Sequence, residues 1–138
     1  MIQYTLLHFL FLVAIYSVFG GMVLIYFLYA ATIGILLLET VNYIEHYGLY
    51  RQQRENGTFE TVKRKHSWNS NHILGRIILY ELTRHSDHHY KSTKEYQILE
   101  CHEESPQLPF GYPTSMVLSF IPPLWYSIMN KRIPEEMK

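Results

Sequence analysis

Along the first 38 residues no side chain carries a formal charge, and Leu, Ile, Val, Phe, Tyr and Ala fill most positions from Met1 to Leu38. That is nearly twice the ~20 apolar residues a helix needs to cross a bilayer. A single straight helix from Tyr4 to Leu38 would reach ~52 Å at ~1.5 Å per residue, well beyond a ~30 Å hydrocarbon core. Gly20-Gly21, midway, offers the local freedom for a tight turn, so the pattern predicts a transmembrane hairpin of two helices over residues 1–50. A cleavable signal peptide does not fit, because it needs a basic leader and a shorter apolar stretch.

After Tyr50 the apolar pattern stops. RQQRENGTFETVKRKHSWNSN has no helical or strand period and reads as a surface loop with a turn at Asn56-Gly57. From Asn71 to Tyr90 the spacing predicts one helix, capped by Ser70 or Asn71, with Ile73, Leu74, Ile77, Ile78 and Leu82 as an apolar stripe facing the core. PQLPFGYP is too rich in Pro and Gly for regular structure, and Met116 to Met129, interrupted by Pro122-Pro123, is too short to span and is expected on the membrane surface. The fold class that follows is an all-α integral membrane protein: one partial domain over residues 1–138, with a transmembrane hairpin at 1–50. Residues 51–138 form the cytoplasmic catalytic portion, a histidine-bearing helix and an irregular C-terminal cap.

Charge orients this arrangement. The twelve Lys and Arg residues cancel twelve Asp and Glu, which leaves no basic footprint for nucleic acid, but every basic residue follows position 50. By the positive-inside rule that portion is cytoplasmic, and the chain is placed in the inner membrane with its membrane lipid. A single cysteine, Cys101, excludes an intrachain disulfide and reads as a free thiol.

The candidate chemistry lies in the histidines. His85, His88 and His89, at i, i+3 and i+4, fall within about 100° of one helix face and can share a metal. The stripe through Leu74, Ile78 and Leu82 leads onto that face, so the ligands are expected to point inward. The plainer alternative is a surface cluster that titrates near neutral pH. Near the end of the second apolar helix, Glu39, Asn42 and His46 form a polar stripe at spacings of three and four. Polar groups at such a place are costly and mark function, with Glu39 and Asn42 suited to accept a ligand ring's spare N–H; the alternative is plain interfacial capping. Asp87 projects elsewhere and is expected to meet Arg84 or a neighbouring helix, in a supporting role. Glu81 projects close to the histidine face. His66 and His72 are expected to make loop hydrogen bonds, His102 belongs to the solvated acidic run Glu100–Glu104, and His8 is a structural residue on an apolar helix. Tyr4, Tyr16, Tyr26, Tyr29 and the Trp125-Tyr126 pair suit a membrane interface.

NYIEHYGL at 42–49, HSWNS at 66–70, LTRHSDHH at 82–89 and PQLPFGYP at 106–113 together resemble the membrane-bound alkane 1-monooxygenases, members of a membrane fatty acid desaturase-like superfamily, in order and approximate spacing. The resemblance covers nearly everything from the second helix onward and corresponds to the C-terminal part of that family. It implies a non-haem di-iron enzyme that uses O2 and electrons from rubredoxin to hydroxylate the terminal carbon of an n-alkane, with the hairpin as part of the channel wall. It also implies that His46, His85, His88 and His89 are iron ligands. Family members carry further histidine boxes upstream, whereas only His8 precedes His46 here, so a missing N-terminal part is expected to supply the remaining ligands. Two other readings stay open: a related membrane desaturase or fatty-acid hydroxylase acting on acyl chains, and a remnant that binds metal loosely or not at all.

Overall fold

The computed structural model describes residues 1–138 and is helical, without a β-strand; two isolated bridges pair Gln53 with Phe59 and Asn69 with Gln107. Its elements are α1 (Ile2–Phe19), α2 (Gly21–His46), α3 (Ile73–Ile78), α4 (His85–Tyr90), α5 (Tyr112–Ser119) and α6 (Pro122–Met129), with short 3-10 turns at Arg64–His66, Tyr96–Ile98 and Glu135–Met137. The chain divides into two compact units, Met1–Glu39 and Thr40–Lys138.

The first unit holds α1 and most of α2. Gly20 separates them with φ 83°, a left-handed conformation that glycine adopts at no steric cost. Phe11 and Phe27 meet edge-on with ring centroids 5.6 Å apart, where an unbroken helix would hold them about 24 Å apart, so the chain turns at Gly20. Both helices are long and apolar enough to cross a bilayer, and nearly all their side chains in this unit face outward. Thr5, His8 and Thr32 each bond to the carbonyl one turn earlier, which gives each a partner within its own helix.

The second unit is built around a small core of Ile44, Trp68, Leu108, Tyr112, Trp125 and Met129. Residues 66–70 are buried, which corrects the expectation of a surface loop throughout this stretch. They form an extended thread that the surrounding backbone fixes. Trp68 N donates to the Glu45 carbonyl (2.8 Å), Asn69 N to Pro106 O (2.8 Å), Leu108 N to Asn69 O (2.7 Å) and Ser70 N to Thr83 O (2.9 Å). A strand-like thread without a partner sheet has no periodicity to betray it, so its burial is tertiary in origin. Past the end of α2, Gly48 takes φ 68°, and a side chain there would collide with Ile133.

The expected helix Asn71–Tyr90 is instead two. α3 begins after His72, whose side chain makes no capping bond, Tyr80 and Glu81 follow the helix with φ 49° and 61°, and α4 begins only at His85. Two successive left-handed residues end any α-helix. The Glu81 carboxylate holds the break by accepting both Arg76 Nε and Nη2 at 2.8 Å, with Arg84 Nε at 3.3 Å, so Glu81 serves the turn rather than the histidines. The break also uncouples the apolar stripe from the histidine face. Ile73, Leu74, Ile77 and Ile78 are 63–71% exposed rather than packed in the core.

The irregular C-terminal cap is also corrected. Residues 106–111 are irregular as expected, but α5 starts at Tyr112 with Pro113 in its first turn, and α6 starts at Pro122 itself. Proline is favoured there because its fixed φ suits a helix start and its missing N–H would have had no partner. Trp125, expected at an interface, is fully buried with Met129 in the core, while Tyr126 remains exposed.

Candidate metal centre

Three of the four predicted histidines converge. His46 ends α2, His85 and His89 stand one turn apart on α4, and ligand nitrogens of all three lie within 4.8 Å of one another. The rings meet edge-on, with centroids 5.2 Å apart for His46–His85, 5.2 Å for His46–His89 and 4.3 Å for His85–His89. His88 stands at the rim, its ring 6.2 Å from His85 and 5.8 Å from His89. A cleft of about 330 Å³, lined by His46, Tyr50, Arg51, His66, Ser67 and His89, opens beside the cluster.

The nitrogens are prepared to donate electron pairs. His46 Nδ1 lies 3.4 Å from both the His66 carbonyl and the Ser67 hydroxyl, which hold the ring with Nε2 turned toward His85. That Nε2 lies 3.3 Å from His85 Nε2. Burial, reinforced by the charges of His89, His46 and His88, pushes His85 down to about 3, and burial likewise lowers His89, so both stay neutral at physiological pH. Neutral imidazole is the ligating form, and this donor set suits Fe, Zn, Cu or Ni. Three imidazole nitrogens within 4.8 Å of one another, with a carboxylate oxygen 3.3 Å from His85 Nε2, form a donor set of the number and kind a metal ion takes. The residues therefore fit a metal.

The carboxylate beside the cluster is Glu45. It is 1% exposed, with Oε2 3.3 Å from His85 Nε2 and Oε1 accepting the Tyr112 hydroxyl at 2.7 Å. Burial, with Glu45 adjacent, raises the Tyr112 hydroxyl well above its usual range, so it remains a donor. A helix-face argument passes over Glu45 because the residue preceding His46 projects about 100° away from it. Its place inside NYIEHYGL was the available signal. Glu39 belongs to the first unit and is exposed; Asn42 is exposed as well, and neither makes a hydrogen bond to a ring.

Asp87 lies away from the rings and anchors the helix that carries them. It is 1% exposed and takes Lys94 Nζ at 2.6 Å, the Glu100 backbone N–H at 3.0 Å, His102 Nε2 at 3.1 Å and Arg64 Nε at 3.3 Å. Arg84, the expected partner, instead serves Glu81 and the Leu99 carbonyl. Burial alone would raise the Asp87 carboxyl, yet the Lys94 and Glu100 hydrogen bonds, with the charge of Lys94 and the bond from Arg64, bring it down to about 2. His102 is thus part of this network rather than of a solvated run. A six-residue helix is not stable alone. Asn69 Oδ1 accepts Ser86 N at 2.9 Å at its start, and Arg64 lies over the Tyr90 ring at 4.0 Å at its end. His66 makes the expected loop bonds, accepting Lys63 N at 3.0 Å and meeting Glu60 at 3.1 Å.

A family model described as fatty acid desaturase matches residues 1–127. Alkane 1-monooxygenase 2 of Alcanivorax borkumensis is 50% identical over 114 residues, covering 83% of this chain and 30% of that protein. Alkane 1-monooxygenase of Acinetobacter baylyi is 45% identical over 125 residues, covering 91% and 31%. The hydroxylase component of xylene/toluene monooxygenase from Pseudomonas putida is 30% identical over 95 residues, covering 69% and 24%. The chain thus spans about three-tenths of the length of the alkane monooxygenases it matches. From a family match over nearly all its residues, the chain belongs to the fatty acid desaturase family, with alkane 1-monooxygenases among its relatives.

Proposed function

We propose that this chain is the C-terminal catalytic part of a membrane-bound di-iron monooxygenase that inserts oxygen from O2 into the terminal C–H bond of medium- or long-chain n-alkanes, with rubredoxin as electron donor. The observation that carries the reading is the meeting of His46, His85 and His89 nitrogens within 4.8 Å, with His46 lying 39 or more residues from the other two in the chain. His88 completes the iron ligands of this chain, and the rest of the site comes from a region corresponding to the remainder of the longer relatives. Iron, when bound, supplies the activation of O2 that an unactivated C–H bond demands. The protein's own work is to hold neutral imidazoles in register. The His66 carbonyl and the Ser67 hydroxyl hold the His46 ring, burial keeps His85 unprotonated, and Asp87 with Asn69 holds α4.

The two apolar helices form a transmembrane hairpin in the inner membrane, and the histidines face the cytoplasm. The placement of every Lys and Arg after residue 50 supports this orientation. The family description favours an acyl chain as the second reading. The test begins with the full chain, expressed in iron-replete cells and purified in detergent. Iron should copurify and fall sharply in the His46→Ala variant; iron equal in the two proteins would overturn the ligand assignment. Reconstituted with the complementary region and reduced rubredoxin, the protein should convert octane to 1-octanol. Turnover of an acyl thioester in place of octane would establish the second reading.

A further inference from the structure

The second unit buries two carboxylates and neutralises them differently. Asp87 has Lys94 at 2.6 Å and Arg64 at 3.3 Å, whereas Glu45 has no Lys or Arg partner. Its neighbours are the Tyr112 hydroxyl at 2.7 Å and the His85 ring at 3.3 Å. An isolated buried carboxylate is strongly disfavoured unless a cation sits with it. The nitrogen it meets matters as well. A carboxylate that supports a ligand histidine from behind accepts the N–H of the ring nitrogen facing away from the metal. Glu45 Oε2 instead approaches His85 Nε2, the same nitrogen that faces His46 Nε2 at 3.3 Å, and His85 Nδ1 meets no partner at all. Glu45 Oε2 and His46 Nε2 therefore approach the same nitrogen of His85.

We propose that Glu45 is an oxygen ligand of the metal held by His46, His85 and His89, and that Tyr112 is the positioning residue that aims its carboxylate. This rests on the metal-binding reading above and adds a carboxylate to an otherwise all-imidazole set. Tyr112 is fully buried at the first turn of α5, so the core that fixes the C-terminal helices also fixes the direction of Glu45.

The experiment uses the full 138-residue chain in detergent, stripped of metal and titrated with cobalt(II), whose visible bands report the number and kind of its ligands. Wild type should bind with a defined spectrum. Glu45→Ala and Glu45→Gln should bind more than about 100-fold more weakly with altered bands, and Tyr112→Phe about 10-fold more weakly. Glu45→Gln keeps the side-chain volume and an acceptor for Tyr112, so it serves where the alanine variant fails to fold. Folded Glu45→Gln protein with wild-type affinity overturns the proposal, and so does weaker binding with unchanged bands, which charge alone would produce. Wild-type protein that binds no cobalt overturns the metal reading itself, a result distinct from either.

Discussion

Asp87→Asn removes one charge from the network that secures α4 while keeping the side chain's size. In the folded chain the carboxyl is held at about 2 against an ordinary 3.8. At about 1.36 kcal/mol per pH unit, that difference corresponds to about 2 kcal/mol of stability at neutral pH. The variant should lose about that amount, because Lys94 and Arg64 are left without the anion they share. A lowered folded-state value means the contribution is fully present above the unfolded value of 3.8 and is lost as pH falls through about 2. The gap between wild type and variant should be constant above pH 4 and narrow below it. Urea unfolding followed by tryptophan fluorescence is the suitable assay. The only two tryptophans, Trp68 and Trp125, are both buried in the second unit and report on it alone. Coincident midpoints at pH 7, or a gap that stays unchanged down to pH 2, would refute the argument.

Other substitutions probe separate links. Gly48→Ala adds a side chain where φ is 68° and Ile133 is in the way, and should cost about 2 kcal/mol or more in the same unfolding assay. Asn69→Ala removes the Asn69 Oδ1 that accepts Ser86 N, and should lower stability by about 1–2 kcal/mol while raising amide exchange across His85–Tyr90. His89→Ala should abolish most cobalt or iron binding by this chain, and His88→Ala should weaken it less, because the His88 ring stands outside the converging three; equal losses by metal analysis would contradict that ranking.

How much of this was legible beforehand differs from element to element. The two apolar helices and the turn at Gly20 follow from hydrophobic length against bilayer thickness, a one-dimensional comparison that needs no knowledge of contacts. That His46 meets His85 and His89 was expected from the family resemblance of the motifs that hold them, with His88 expected as a fourth. The helix expected at Asn71–Tyr90 failed at Tyr80-Glu81, because the Arg76–Glu81 pair rewards a left-handed turn that residue propensities alone disfavour.

Composition and order along the chain determined that two long apolar helices precede a polar, histidine-bearing segment, since charge-free length and i, i+3, i+4 spacing are properties of a line. Only the folded chain decided that Glu45 rather than Glu39 lies against His85, that Asp87 pairs with Lys94 and Arg64 rather than Arg84, and that a polar thread at 66–70 is buried. Those outcomes depend on which residues from distant segments fill the same volume. The core of Ile44, Trp68, Tyr112 and Trp125 settles them, because it draws its members from across nearly the whole second unit and packs them in one way.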